Sequence, residues 1–157
     1  MRWLELKIPP PLLALLTAGV MWFLSHSQGM PVAPTGMQWV LVVLLAIAGV
    51  GFDIAGILSF RRARTTVNPL RPNATSALVC SGVYRLTRNP MYLGLLFLLL
   101  AWTVYLYSLA ALPGPLFLVV YLNRFQIQPE ERVMLGLFGA DYAAYQARVR
   151  RWLGWRY

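Results

Sequence analysis

All 14 Lys and Arg residues of the chain fall outside two long charge-poor stretches. Arg2 and Lys7 precede the first, residues 8–60, in which Asp53 is the only charged side chain. Arg61, Arg62, Arg64, Arg71, Arg85 and Arg88 lie in the gap between the two. The second, residues 89–123, carries no charge, and Arg124 opens a basic tail. Charges confined to the flanks of long apolar runs mark a chain that crosses a bilayer repeatedly and presents one basic face. The polar motifs, and any chemistry, then belong to that face.

Composition excludes several classes. Only 12% of the residues are charged and 59% are hydrophobic, where soluble domains carry roughly 25% charged residues. In a soluble protein the net charge of +9 would suggest a nucleic-acid partner. Here the arginines flank apolar segments, so the positive-inside rule accounts for them and nucleic acid is not expected. A single Cys80 excludes an intrachain disulfide, and one Cys with one His cannot build a zinc cage, so no metal site is expected. The N-terminus has signal-peptide character: Arg2 and Lys7, an apolar run to Leu24, then Ser25 and Ser27 as a weak cleavage pattern. A second apolar run follows closely, and a retained first span is the expectation.

The reading is an all-α integral membrane fold of about four transmembrane helices with a C-terminal interfacial helical segment, in one membrane domain over residues 1–157. The first helical hairpin is residues 1–60, with spans at about 10–25 and 37–60 joined by a polar loop at 26–36 rich in Pro and Gly. Residues 61–90 form a cytoplasmic connection. The second hairpin is residues 91–123. As one helix, residues 89–123 would run roughly 50 Å, too long for a hydrocarbon core of about 30 Å. Pro113-Gly114-Pro115 is therefore expected to break the stretch, leaving arms at about 91–108 and 116–123. The loops at 26–36 and 108–114 have no Lys or Arg, which puts both termini in the cytoplasm of an inner (plasma) membrane protein.

The tail, residues 124–157, is of different composition. Pro129 followed by Glu130 and Glu131 reads as a helix start, with proline in the first turn and acids near the positive end of the dipole. Gly136 and Gly139 are expected to interrupt that helix, with another from about Ala140. Phe138, Tyr142, Tyr145, Val149 and Trp152 share one helical face bordered by Arg148, Arg150 and Arg151. Such a stripe suits packing or an interfacial position.

The densest polar motif is residues 81–94, where the connection re-enters the membrane. The hairpin should return Glu130 and Glu131 to the same face. Taken in order, Gly82-x-Tyr84, Arg88-Asn89-Pro90-Met91-Tyr92-x-Gly94, Glu130-Glu131, Phe138-Gly139-x-x-Tyr142-x-x-Tyr145 and Val149-Arg150-Arg151-Trp152 resemble the isoprenylcysteine carboxyl methyltransferase family. Phospholipid N-methyltransferases share its general plan. The resemblance covers roughly residues 65–152.

It implies an integral-membrane methyltransferase that uses S-adenosylmethionine, leaving S-adenosylhomocysteine, on a lipophilic or membrane-delivered acceptor. Tyr84, Arg88, Asn89, Pro90, Tyr92 and Gly94 would line the cofactor cleft, Glu130 and Glu131 would contact the cofactor, and Arg88 and Asn89 would be catalytic. Many relatives have His where this chain has Asn89, which hydrogen-bonds but does not titrate. The chemistry agrees: carboxylates suit the donor's amine and ribose hydroxyls, and an arginine suits its carboxylate.

Asp53 is the one ionisable residue deep inside a span, about 12 Å from Arg61 along a helix. Intramembrane acids are functional candidates, and Asp53 motivates the rival reading of a small proton-coupled transporter. A structural Asp facing the bundle is the simpler account, and Asp53→Asn should then disturb folding more than donor affinity. A non-catalytic membrane binding module is the other alternative, with a reductase of similar plan behind it. The acceptor stays open among an isoprenylcysteine carboxylate, a phospholipid amine and a small thiol.

Overall fold

The computed structural model describes residues 4–27, 35–63 and 77–154. Most of the 26–36 loop and residues 64–76 of the connection, with Arg64 and Arg71, lie outside the described residues, as do Arg2 and residues 155–157. The described residues form α1 (Pro10–Ser27), α2 (Gly36–Arg62), α3 (Pro90–Leu106), α4 (Pro113–Tyr121) and α5 (Gln128–Arg148), and no strand is found among them.

Local chemistry sets the ends of these helices. Thr35 and Gln38 close a reciprocal capping box at the start of α2, so two orphan N–H groups are satisfied there. Arg61 and Arg62 close its other end, where cations meet the negative end of the dipole. Within the apolar helices, hydroxyls turn back on the carbonyl four residues earlier: Thr17 to Leu13 at 2.8 Å, Ser25 to Met21 at 2.7 Å and Thr103 to Leu99 at 2.8 Å. That self-satisfaction removes the penalty of a bare hydroxyl in an apolar medium.

α3 is the central helix, in contact with α1, α2 and α4. One core gathers Leu13 and Met21 of α1, Leu99 and Leu106 of α3, and Leu118 of α4. The Trp102 indole N–H donates to the Ala18 carbonyl at 3.1 Å, tying α3 to α1. Glycines let α2 lie close against α3. A Cβ at Gly49 would meet Leu98 Cγ at 2.8 Å and the Gly94 carbonyl oxygen at 2.9 Å.

Away from α3, α2 is bare. Met37 is 80% exposed and Ile47 64% exposed, with Leu44, Val50 and Ile54 also exposed. An apolar surface of that extent is stable only against lipid or another apolar partner. α2 is the one helix among the described residues long and apolar enough by itself to cross a membrane. α3 is apolar but has 17 residues.

The second hairpin turns in a different place from the expected one. α3 ends at Tyr107 in a left-handed conformation (φ 46°), Ser108 caps a short 3-10 turn at Leu109–Ala111, and Pro113 then sits in the first turn of α4. Pro113-Gly114-Pro115 therefore starts the returning helix instead of breaking the chain. A first-turn proline has no hydrogen bond to lose. The bare Gly114 accepts the Met21 side chain of α1, which a Cβ there would overlap.

Nor does the returning arm stop near residue 123. It passes through a π-helical segment, Leu122–Ile127, directly into α5, so the expected boundary between the second hairpin and the tail is a continuous helical path. Pro129 lies in the first turn of α5, as the sequence suggests, but Ile127 and Gln128 before it are already helical. Gly136 is accommodated in the helix, whereas Gly139 (φ 49°, ψ −121°) kinks it. The aromatic stripe divides: Tyr142, Tyr145 and Val149 pack with Val79 and Tyr84, whereas Trp152 packs against the main core. The helix ends at Arg148, so the stripe's last members lie on an extended turn.

Candidate functional site

The chain enters the site through Ser81 and a 3-10 turn, Gly82–Arg85. Gly82 holds φ 62°, a left-handed value that suits glycine. The turn buries Tyr84 against Phe60 of α2, edge to face at 5.5 Å. The Tyr145 hydroxyl donates to the Tyr84 carbonyl at 2.7 Å, so α5 clamps this turn from the other side. Asn89 then caps α3 and Pro90 occupies its first turn.

Glu130 and Glu131 arrive on α5 and meet this segment. Arg88 Nη2 lies 3.1 Å from Glu131 Oε1. Arg151 grips the same carboxylate with two bonds, Nε to Oε1 at 3.1 Å and Nη2 to Oε2 at 2.6 Å. The Tyr92 hydroxyl donates to Glu130 Oε1 at 2.5 Å, and Gln126 Nε2 donates to the same oxygen at 2.8 Å. The acidic pair and the Arg-Asn-Pro segment thus share one space, as the hairpin argument required.

The extended turn after α5 closes that space. Arg88 N–H donates to the Arg150 carbonyl at 3.1 Å, and Gly154 N–H to the Leu86 carbonyl at 3.2 Å. Thr87 Oγ1 and Asn89 Nδ2 both donate to the Arg151 carbonyl, at 3.2 and 2.8 Å. The Trp152 indole N–H donates to Asn123 Oδ1 at 3.2 Å. An open pocket of about 400 Å³ adjoins, with Arg150, Arg151, Trp152 and Leu153 on its wall.

Arg88 is the informative side chain. It is 7% exposed, and its Nε and Nη1 are buried without a hydrogen-bond partner among the described residues. Buried guanidinium N–H groups left unmet are costly. Nη2 is taken by Glu131, and the two unmet donors leave different edges of the planar guanidinium, each ready for an acceptor of its own.

Burial sets the titration of the neighbours. It pushes the Glu130 carboxyl up from 4.5 to about 7; the hydrogen bonds from Tyr92 and Gln126 restrain the rise, and the Glu131 charge adds to it. Burial first, then Tyr145 and Glu130, hold the Tyr84 phenol well above its ordinary range. Burial, with Glu131 next, lifts Tyr142 to about 12 while Arg88 opposes.

A stability prediction follows for Glu130. Between about pH 4.5 and pH 7 the folded chain holds a proton that the unfolded chain has released, so stability falls as pH rises through that window. The loss is on the order of 3 kcal/mol. Glu130→Gln should flatten the melting profile between about pH 5 and pH 8 and raise the melting temperature at the alkaline end. A variant with the wild-type slope contradicts the assignment.

Of the residues singled out from the sequence, Tyr84, Arg88, Asn89, Tyr92, Glu130 and Glu131 converge. Pro90 packs towards Gly56 of α2, and Gly94 faces Asp53 and Gly49 of α2, on the α2–α3 contact. Gln126, Thr87 and Arg151 were not expected in the site. Arg151 belongs to the 149–152 motif but carries no assigned role there, and Gln126, one turn before Glu130, falls outside a helix expected to start at Pro129.

The family model described as phospholipid methyltransferase matches residues 37–141, a range holding both the Arg88–Gly94 segment and the acidic pair. An uncharacterized protein of Haemophilus influenzae is 44% identical over 63 residues, 40% of this chain and 100% of the relative. No solved structure matches the chain.

Proposed function

The chain belongs to the phospholipid methyltransferase family, which is related to the isoprenylcysteine carboxyl methyltransferases, and from that premise we propose that it transfers a methyl group from S-adenosylmethionine to a lipophilic or membrane-delivered acceptor. The observation that carries the reading is Arg88: a buried cation, paired with Glu131, that keeps two unmet donors. Membrane association follows from the family and the bare apolar α2. We read the full arrangement as four spans with both termini and the site on the cytoplasmic side.

Bound in this site, S-adenosylmethionine supplies a methyl already activated on a sulfonium sulfur. The chain's own residues then bind, align and keep water out. An unmet donor of Arg88 holds a carboxylate oxygen. Glu130 and Glu131 take an amine or ribose hydroxyls. Tyr84 supplies a buried wall. Asn89 holds the Arg151 carbonyl and keeps the closing turn over the site. An acceptor that arrives ionised needs no strong base, and Glu130, close to neutrality, can hold a proton released by one that does not. Asp53, packed against Gly94, serves the α2–α3 contact in this reading, which leaves the transporter alternative without a site.

Calorimetry on the full chain in a fold-preserving detergent tests this. S-adenosylhomocysteine should bind, and Arg88→Gln should weaken it by about tenfold or more without unfolding, because Arg151 still neutralises Glu131. No binding by the folded wild-type chain removes the reading. Labelled-methyl transfer to fractionated lipids, prenylcysteines and thiols then separates the acceptor classes.

A further inference from the structure

We propose that residues 4–8 form a positioning strap: they cap a gap that Pro129 opens in the helix carrying Glu130 and Glu131, and so hold the acidic pair in the register that faces Arg88 and Tyr92. The strap deepens the methyltransferase reading, on which its functional consequence rests.

Pro129 has no N–H, so in a continuous helix the carbonyl four residues earlier, that of Phe125, loses its helical donor. Leu6 supplies one: its backbone N–H donates to the Phe125 carbonyl at 3.0 Å. To do so Leu6 adopts φ 57°, a left-handed conformation that a leucine takes only when its surroundings impose it. Glu5 brackets the same gap. One carboxylate oxygen meets Arg124 Nη1 at 3.1 Å, before the gap, and the other meets Arg132, after it. The Glu5 side chain is 13% exposed while Arg124 and Arg132 are 45% and 56% exposed. The carboxylate is therefore tucked beneath its two partners.

Register is what the strap protects. In the π segment Gln128 N–H bonds to the Asn123 carbonyl, five residues back. One inserted residue turns everything after it by about 100°. Past the insertion, Glu130 meets Tyr92, one turn on from Gln126, which donates to the same carboxylate oxygen. A helix that relaxed at the proline gap would carry both glutamates away from α3.

The test uses the full chain in detergent, with S-adenosylhomocysteine as probe and melting of the free protein as control. Leu6→Pro deletes the donor and cannot hold the left-handed φ of 57°, so it should release the strap and weaken binding by about tenfold. Leu6→Gly keeps the N–H, suits the left-handed backbone, and should bind like wild type. Pro129→Ala gives the helix its own N–H, so adding it to Leu6→Pro should restore affinity to within about twofold. A rescue by the helix's own N–H is not what a merely structural N-terminus gives. Unchanged affinity in Leu6→Pro, or no rescue by Pro129→Ala, overturns the strap. If Leu6→Pro does not fold, Glu5→Lys is measured alone and with Arg124→Glu and Arg132→Glu. Restoration by the reversed charges supports the strap, and its absence overturns it. A folded wild type that binds no probe defeats the donor reading instead. The strap is then read from amide exchange at residues 128, 130 and 131, which must quicken in Leu6→Pro and recover in the double variant.

Discussion

Glu131→Ala is expected to be the most damaging single change in the site, costing about 3–5 kcal/mol of stability and abolishing measurable S-adenosylhomocysteine binding. Glu131 is the only carboxylate that meets Arg88 among the described residues. The two side chains are 14% and 7% exposed. Removing the carboxylate leaves a buried guanidinium facing a second one on Arg151, and an unpaired buried charge is far costlier than an absent pair. Arg151→Ala should be much milder, about 1 kcal/mol, because Arg151 is 31% exposed and its loss still leaves Arg88 paired. Removing both buried partners separates stability from function. Arg88→Met with Glu131→Leu should recover most of the stability, since an apolar pair carries no desolvation cost, yet should bind no donor analogue. Unfolding and calorimetry in detergent give both quantities. Glu131→Ala melting at the wild-type temperature would mean that the pairing does not hold the site together.

The parts of this arrangement that could be read from the sequence are those carried by composition and by short-range signals. Charge-free runs located the apolar helices, because lipid tolerates few alternatives. Pro129, Glu130 and Glu131 were legible as first-turn chemistry, which is local, but the helix already runs into them from the π segment, so they do not mark its start. The error at Pro113-Gly114-Pro115 has the same root: a proline tells that a helix starts or stops, not which. Met21 across the bundle decided it. The π segment was illegible, since a one-residue insertion in hydrogen bonding leaves no mark in composition. Gln126 was missed because the helix was expected to start at Pro129, after it. Arg151 was missed because its partner lies 20 residues away, across the Gly139 kink. The role of Leu6 depends on a contact with Phe125 that no spacing announces.

Gly94→Ala should destabilise the chain by about 2 kcal/mol or more, a large effect for one methyl group. The reason is which atoms stand in the way. A Cβ at Gly94 would overlap Asp53 Oδ1 and would lie 2.8 Å from the Gly49 carbonyl oxygen. Asp53 can swing aside, but the Gly49 oxygen is backbone and moves only if α2 moves. The same methyl at Gly51 or Gly136 meets nothing within 4 Å and should be neutral or stabilising by about 0.5–1 kcal/mol, as alanine replaces glycine in a helix. Adding Asp53→Ala to Gly94→Ala should therefore rescue only part of the loss. Prising α2 from α3 also reaches the site, because Pro90 and Met91 rest on Gly56 and Tyr92 follows them. Donor affinity should fall together with stability. Full rescue by Asp53→Ala would confine the contact to one side chain. A fall in affinity at unchanged stability would place Gly94 in the cofactor cleft instead of the helix seam.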